Sequence, residues 1–120
     1  MKRFASHYLY IPSYGFLKQY VVEVNNDGHV TALYPLREES ESIIWTPGVI
    51  LLVTPEWLTK IEEWQGSIIF EHKQIKTELP VEYNNMASIE LAAVRLYPFD
   101  FTQMQPTGST IIQILGNRIS

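Results

Sequence analysis

Asn26, Asp27 and Gly28 stand between two runs rich in β-branched and aromatic residues, Tyr20-Val21-Val22-Glu23-Val24 and His29-Val30-Thr31-Ala32-Leu33-Tyr34. Asx-Gly between such runs specifies a β-hairpin with a left-handed residue in its turn. Two registers compete. A two-residue turn at Asp27 and Gly28 pairs Val24 with Thr31 and Val22 with Leu33. A three-residue loop, Asn26-Asp27-Gly28, pairs Val24 with Val30, Val22 with Ala32 and Tyr20 with Tyr34. The second sets apolar opposite apolar at each level of one face and leaves Glu23 opposite Thr31 on the other. A one-residue slip would turn that apolar set outward. The longer loop is therefore expected, with Gly28 at φ > 0, where a Cβ is costly.

Strands flank this hairpin on both sides. Residues 4–11 form a first strand, with Phe4, Tyr8 and Tyr10 on one side, and Pro12-Ser13-Tyr14-Gly15 carries turn chemistry. Residues 37–42 are a charged, solvated loop. Residues 43–45 and 49–53 read as strands around the turn signal Pro47-Gly48. Then the period changes. Thr54 as cap, Pro55 at the first helical position and Glu56 in the first turn open a helix. Trp57, Leu58, Ile61 and Trp64 recur at helical spacing, and Gly66 stops them. Residues 67–70 suit a short strand, and the polar run 71–78 an exposed edge. Residues 85–96 read as a second helix lined by Ile89, Ala92, Ala93 and Leu96, although Val94 to Tyr97 also suits a strand. An aromatic irregular segment, residues 97–101, precedes a last strand at 110–115. The fold class expected is mainly β, or α+β: an antiparallel sheet or small β-sandwich of about six strands with one or two short helices packed on it. With 120 residues, 46% of them hydrophobic, and no linker or repeat, the chain 1–120 makes a single domain.

The chemistry is defined mostly by exclusion. A net charge of −4 argues against nucleic acid or an anionic membrane as partner. There is no cysteine, hence no disulfide and no thiolate chemistry. Met1-Lys2-Arg3 is followed by His7, Pro12 and Ser13 rather than an apolar run, so no secretory leader is expected. The aliphatic run 49–53 is too short to span a bilayer, and a cytoplasmic location follows as the default. The three histidines, His7, His29 and His72, lack the spacing of a metal pair, so no metal is expected. Neither a glycine-rich phosphate loop nor a Gly-x-Ser-x-Gly elbow occurs, so neither cofactor nor acyl-transfer chemistry is implied. Asp100, between Phe99 and Phe101, is the one carboxylate in an apolar local setting, where burial could raise its pKa. The competing reading makes it the cap of a short turn through Thr102 or a backbone amide.

Seven Tyr, five Phe and three Trp are the conspicuous surplus. Phe4, Phe16, Trp45, Trp57 and Phe70 suit the core. Tyr8, Tyr10, Tyr14 and Tyr20 gather in the first two strands, and such rings are what interface cores favour. The hairpin at residues 22–30, followed by Thr46-Pro47-Gly48-Val49-Ile50 and a returning strand at 110–115, resembles the small N-terminal β-sandwich lobe of the amidohydrolase superfamily. In that family an Asp-x-His-x-His metal motif soon follows the Pro-Gly and its aliphatic pair. Here Leu51-Leu52-Val53-Thr54-Pro55-Glu56 stands in its place. The resemblance therefore implies the lobe without its metal-binding barrel, and carries over no catalytic residue.

Two functions are compatible with this reading. The first is a non-catalytic interaction or assembly module, a homodimer or a partner of another protein, with an interface on the sheet carrying Tyr8, Tyr10 and Tyr20. The second is a small ligand binder or enzyme with a site at Tyr97, Phe99, Asp100 and Phe101. Filled packing around Asp100, with its carboxylate bonded to local backbone amides, would remove the second.

Overall fold

The computed structural model describes residues 2–12, 14–37, 42–60, 70, 72–83 and 90–116. Ten strands run through them: β1 (Lys2–Ala5), β2 (Tyr8–Ile11), β3 (Gly15–Lys18), β4 (Tyr20–Val24), β5 (Val30–Pro35), β6 (Ile43–Trp45), β7 (Val49–Val53), β8 (Ile75–Lys76), β9 (Ala92–Asp100) and β10 (Gln105–Ile114). One short helix, α1 (Pro55–Leu58), follows β7. The strands form a four-stranded sheet, β5-β4-β1-β6, and a six-stranded sheet, β10-β9-β7-β2-β3-β8. The mainly β class expected from the pattern is what the chain adopts, in two sheets rather than a single antiparallel one, each mixing antiparallel with parallel pairs.

Three stretches of chain pass from one sheet to the other side by side. β1 leads into β2 through Ser6 and His7, β3 into β4 through Gln19, and β6 into β7 through Thr46, Pro47 and Gly48. β1 pairs antiparallel with β4 and β2 with β3. β6 runs parallel to β1, and β7 parallel to β2. Hydrogen bonds lock the shared corner. Gln19, at φ 53, donates its N–H to His7 O at 3.2 Å, and Thr46 N–H donates to Ala5 O at 2.8 Å. Ser6 is 1% exposed and donates its hydroxyl to Gly48 O at 2.7 Å. A hydroxyl buried so deeply needs that partner to offset its lost hydration.

The corner reverses the phase of the strands. Phe4 faces an apolar cluster between the sheets, with Leu9, Val22, Val24, Ile50, Leu52 and Ala93. Tyr10 faces a second cluster on the far side of the large sheet, with Phe16, Leu51, Val94, Leu96 and Phe99, under Leu58 and Phe70. Reading residues 4–11 as one straight strand puts Phe4, Tyr8 and Tyr10 on one side. The chain turns at Ser6 and His7 as it crosses between the sheets, so the alternation does not carry through and Phe4 faces a different cluster from the tyrosines. Each large side chain buried in these clusters contributes about 1.5–3 kcal/mol.

β9 corrects the expected second helix. Ala92, Val94 and Leu96 face the second cluster and Ala93 the first, and the strand lies between β7 and β10. A strand buried on both faces shows no alternation, so its apolar run imitates a helical stripe. Ile89 and the residues just before it lie outside the described residues. The cap of α1 is as read: the Thr54 hydroxyl accepts from Trp57 N–H at 3.4 Å, and Pro55 opens the helix. Its expected continuation through Ile61 and Trp64 to Gly66 lies outside the described residues.

The hairpin combines both candidate registers. Gly28 takes φ 85 and Val24 pairs with Val30, as the longer loop requires. Asn25 Oδ1 accepts from the N–H groups of Asp27 and His29 at 2.9 and 3.0 Å, closing the loop. A bulge then slips the ladder by one, so Val22 pairs with Leu33 and Tyr20 with Pro35. Thr31 is the residue absorbed, and its hydroxyl donates to Glu23 O. Val30 N–H is meanwhile held by Leu91 O at 2.8 Å.

Candidate interaction surface

The corner brings together three side chains that are far apart in sequence. Trp45 ends β6 opposite Ala5, on the side away from the inter-sheet cluster. His7 sits in the bend itself, and Phe101 follows directly on β9. The His7 ring lies 5.2 Å from that of Trp45, edge to face at 73°, and 5.0 Å from that of Phe101. Phe101 continues the contact inward to Tyr8 at 5.8 Å and Phe99 at 5.4 Å. Beneath them Phe16, Tyr10 and Phe70 pack at centroid distances from 4.5 to 5.8 Å. A continuous stack of rings thus runs from solvent into the second cluster. Offset and edge-to-face pairs of this kind add about 0.5–1.5 kcal/mol each beyond burial.

Its outer end is open. Trp45 is 45% and Phe101 37% exposed. His7 is oriented by the backbone, because its Nδ1 accepts from Gly48 N–H at 3.2 Å. In the neutral ring that leaves the hydrogen on Nε2, a donor. The surface is therefore apolar, aromatic and held in one arrangement by what lies below it.

A second concave feature lies on the outer face of the small sheet. Arg3, Val21, Tyr34, Leu36, Arg37 and Ile43 border an open groove of about 580 Å³. Arg3, Tyr34 and Ser42 there are tied into one network with Glu23. Arg3 Nε donates to Glu23 Oε2 at 3.0 Å, and the Tyr34 hydroxyl donates to the same oxygen at 3.3 Å. Arg3 Nη1 donates to Ser42 Oγ at 3.0 Å. The bond to Glu23 raises the Arg3 pKa, and burial, ahead of the Glu23 charge, raises that of Tyr34. The network pairs the Glu23 carboxylate with a guanidinium and a phenol.

The tyrosine face expected on one sheet is divided between layers. Tyr10 is 4% and Tyr20 8% exposed, and they belong to different clusters. Tyr8 is half-buried and packs against Phe101 and Phe16. The set Tyr97, Phe99, Asp100 and Phe101 is divided as well. Phe99 is buried in the second cluster. Tyr97 is exposed beside Arg95, whose guanidinium lies 5.5 Å from the ring centroid. Asp100 Oδ1 accepts from Thr102 N–H at 2.9 Å and Gln103 N–H at 3.1 Å, so its carboxylate caps a turn. Trp45, read as core, and His7, weighed as a metal ligand, are what the sequence did not mark as a shared surface. The only signal was that both adjoin a strand interruption, Trp45 next to Thr46-Pro47-Gly48 and His7 after Ser6.

Among the described residues, no group of three or more His, Asp or Glu side chains is placed to hold a metal ion. No helix among them is long and apolar enough to cross a membrane. No protein-family model, curated protein or solved structure matches the chain.

Proposed function

We propose that this chain is a non-catalytic, β-rich interaction module of the cytoplasm that docks on a partner protein through Trp45, His7 and Phe101. The observation that carries the reading is the exposed ring trio standing on a buried ring stack. Trp and Tyr are over-represented among residues that dominate binding energies, and rings already held in place lose little freedom on binding. The two amide hydrogen bonds that Asp100 accepts within its own turn support this reading over a ligand site there. The likeness to an amidohydrolase lobe belongs to the same proposal: a lobe without its barrel has a recognition surface to offer and no reaction to perform.

The test is a comparison of the wild-type chain with a Trp45→Ser, Phe101→Ser double variant, each used as immobilised bait after confirming equal thermal stability. The wild type is expected to retain at least one stoichiometric protein that the double variant loses. Retention of the same proteins by both, or of none by the wild type, overturns the reading.

A further inference from the structure

β10 closes the six-stranded sheet on one side: β9 pairs with it, and among the described residues nothing pairs with its other side. The register fixes which backbone groups are bare. Leu115 N–H donates to Ala93 O at 2.9 Å, and the pairs Gln113 with Arg95 and Ile111 with Tyr97 continue that ladder. In an antiparallel ladder the N–H and C=O of one residue point to the same neighbour, and successive residues alternate. Ile111, Gln113 and Leu115 therefore turn theirs toward β9. Ile112 and Ile114 turn theirs away from β9, where no described residue pairs with them.

Sheet edges in folded proteins are usually guarded by brevity, charge or proline. The other free edges here are guarded. β8 has two residues, one of them Lys76, β6 has three, and β5 ends on Pro35. β10 has ten residues, its one proline, Pro106, lies in the first part, and residues 101–117 include no Lys, Arg, Asp or Glu. Its first part is diverted by an excursion at residues 107–110, where Thr107 N–H donates to Thr110 Oγ1 and Thr110 Oγ1 donates to Pro98 O. The straight part that remains is Ile111-Ile112-Gln113-Ile114-Leu115, which reads nearly the same in both directions about Gln113.

We propose that this edge pairs with the same edge of a second copy, antiparallel, about a two-fold axis through Gln113. An isologous contact demands a self-complementary surface, and the near-palindrome supplies one. Ile112 then lies opposite the copy's Ile114, and each gives and accepts the bonds that are bare in one chain. Both isoleucines are half-buried at the rim of the aromatic cluster, which the copy extends. Ile111, 63% exposed, comes beside the copy's Leu115. No charge meets its like across the axis, since Arg95 is held by Gln113 Oε1 of its own chain at 3.0 Å. So short a strand pair is a small interface, and the dimer is correspondingly weak. This inference uses none of the residues of the Trp45 surface and goes beyond the function proposed for it.

The test is sedimentation of the full chain from micromolar to millimolar concentration, with amide exchange read residue by residue. The wild type is expected to dimerise, and the Ile112 and Ile114 amides to slow about tenfold or more on going from monomer to dimer. Gln113→Lys places two like charges across the axis and removes the acceptor of Arg95, and is expected to weaken the dimer about tenfold or more; Gln113→Glu, which keeps an oxygen for Arg95, is expected to weaken it likewise without loss of thermal stability. Mixing the Gln113→Lys and Gln113→Glu proteins is expected to restore a heterodimer. The proposal is overturned by a wild type that stays monomeric throughout, by a dimer indifferent to Gln113→Lys, or by Ile112 and Ile114 amides that exchange alike at all concentrations. Trp45→Ser should leave the dimer intact, which separates failure here from failure of the proposed docking surface.

Discussion

Replacing Gly48 by alanine tests whether the corner is built as described. Gly48 has φ +112, and a Cβ added there would lie 2.3 Å from Leu96 O and 3.1 Å from Tyr97 Cβ. The nearer contact is a backbone atom of a central strand, which no rotamer change can move aside. Leu96 is the ladder partner of Val49, so displacing its carbonyl disturbs the pairing of β7 with β9. Forcing a residue with a Cβ into that region of φ costs about 1–3 kcal/mol, and weakening one ladder hydrogen bond adds about 1 kcal/mol. The expected loss is about 2–4 kcal/mol, which for a domain of this size lowers the melting temperature by about 10 °C. Urea unfolding followed by tryptophan fluorescence and by far-ultraviolet circular dichroism measures it. Gly108→Ala is the matched control, because nothing lies within 4 Å of a Cβ there, and it should change stability by less than about 0.5 kcal/mol. If Gly48→Ala is as stable as that control, the close approach of β7 and β9 at the corner is wrong.

Asp100→Ala should cost about 1 kcal/mol in the same unfolding assay, because the Thr102 and Gln103 amides lose their acceptor; Asp100→Asn, which keeps an oxygen there, should cost less. Equal losses for the two would mean that the turn does not depend on that oxygen. Burial raises the pKa values of Tyr20, Tyr34 and Tyr83 above the ordinary 10.0. A tyrosine held neutral in the folded state stabilises it fully below pH 10 and loses that contribution as pH rises through the folded-state value. Ultraviolet titration of the folded chain should therefore show a group of tyrosines ionising late, with stability falling over the same range. Seven tyrosines that ionise together at the ordinary value would contradict the burial of these three.

What local chemistry controls was legible in the residues. Gly28 at the hairpin turn and the Thr54-Pro55 start of α1 depend on neighbours within a few positions, and both are where the pattern puts them. The hairpin register was legible only as far as Val24 and Val30. Beyond them a bulge absorbs Thr31, where Val30 is tied to Leu91, a contact that no local pattern encodes. The bend at Ser6 and His7 was the costliest omission. Neither residue is a strong breaker, and the bend is enforced from outside, by Gly48 and Gln19. Missing it aligned Phe4 with Tyr8 and Tyr10, and so suggested a tyrosine surface where Tyr10 is core. Leu96 and Ala92 misled for another reason: a strand covered on both sides leaves no period to read. Tyr97 and Phe101 were picked out for their rings, but Trp45 and His7 complete the surface only once three strands turn together.

Val49–Val53 lies at the centre of the large sheet, every residue buried, with β2 on one flank and β9 on the other. Roughly forty residues separate it from Ala92, the start of its second neighbour (92 − 53 = 39). A ribosome must therefore release five consecutive aliphatic residues well before the strand that will shelter them has been made. Throughout that interval the nascent chain is sticky, and any truncation before β9 makes the condition permanent. Cells producing this protein should need a holdase during its translation, and shortened products should be found in inclusion bodies.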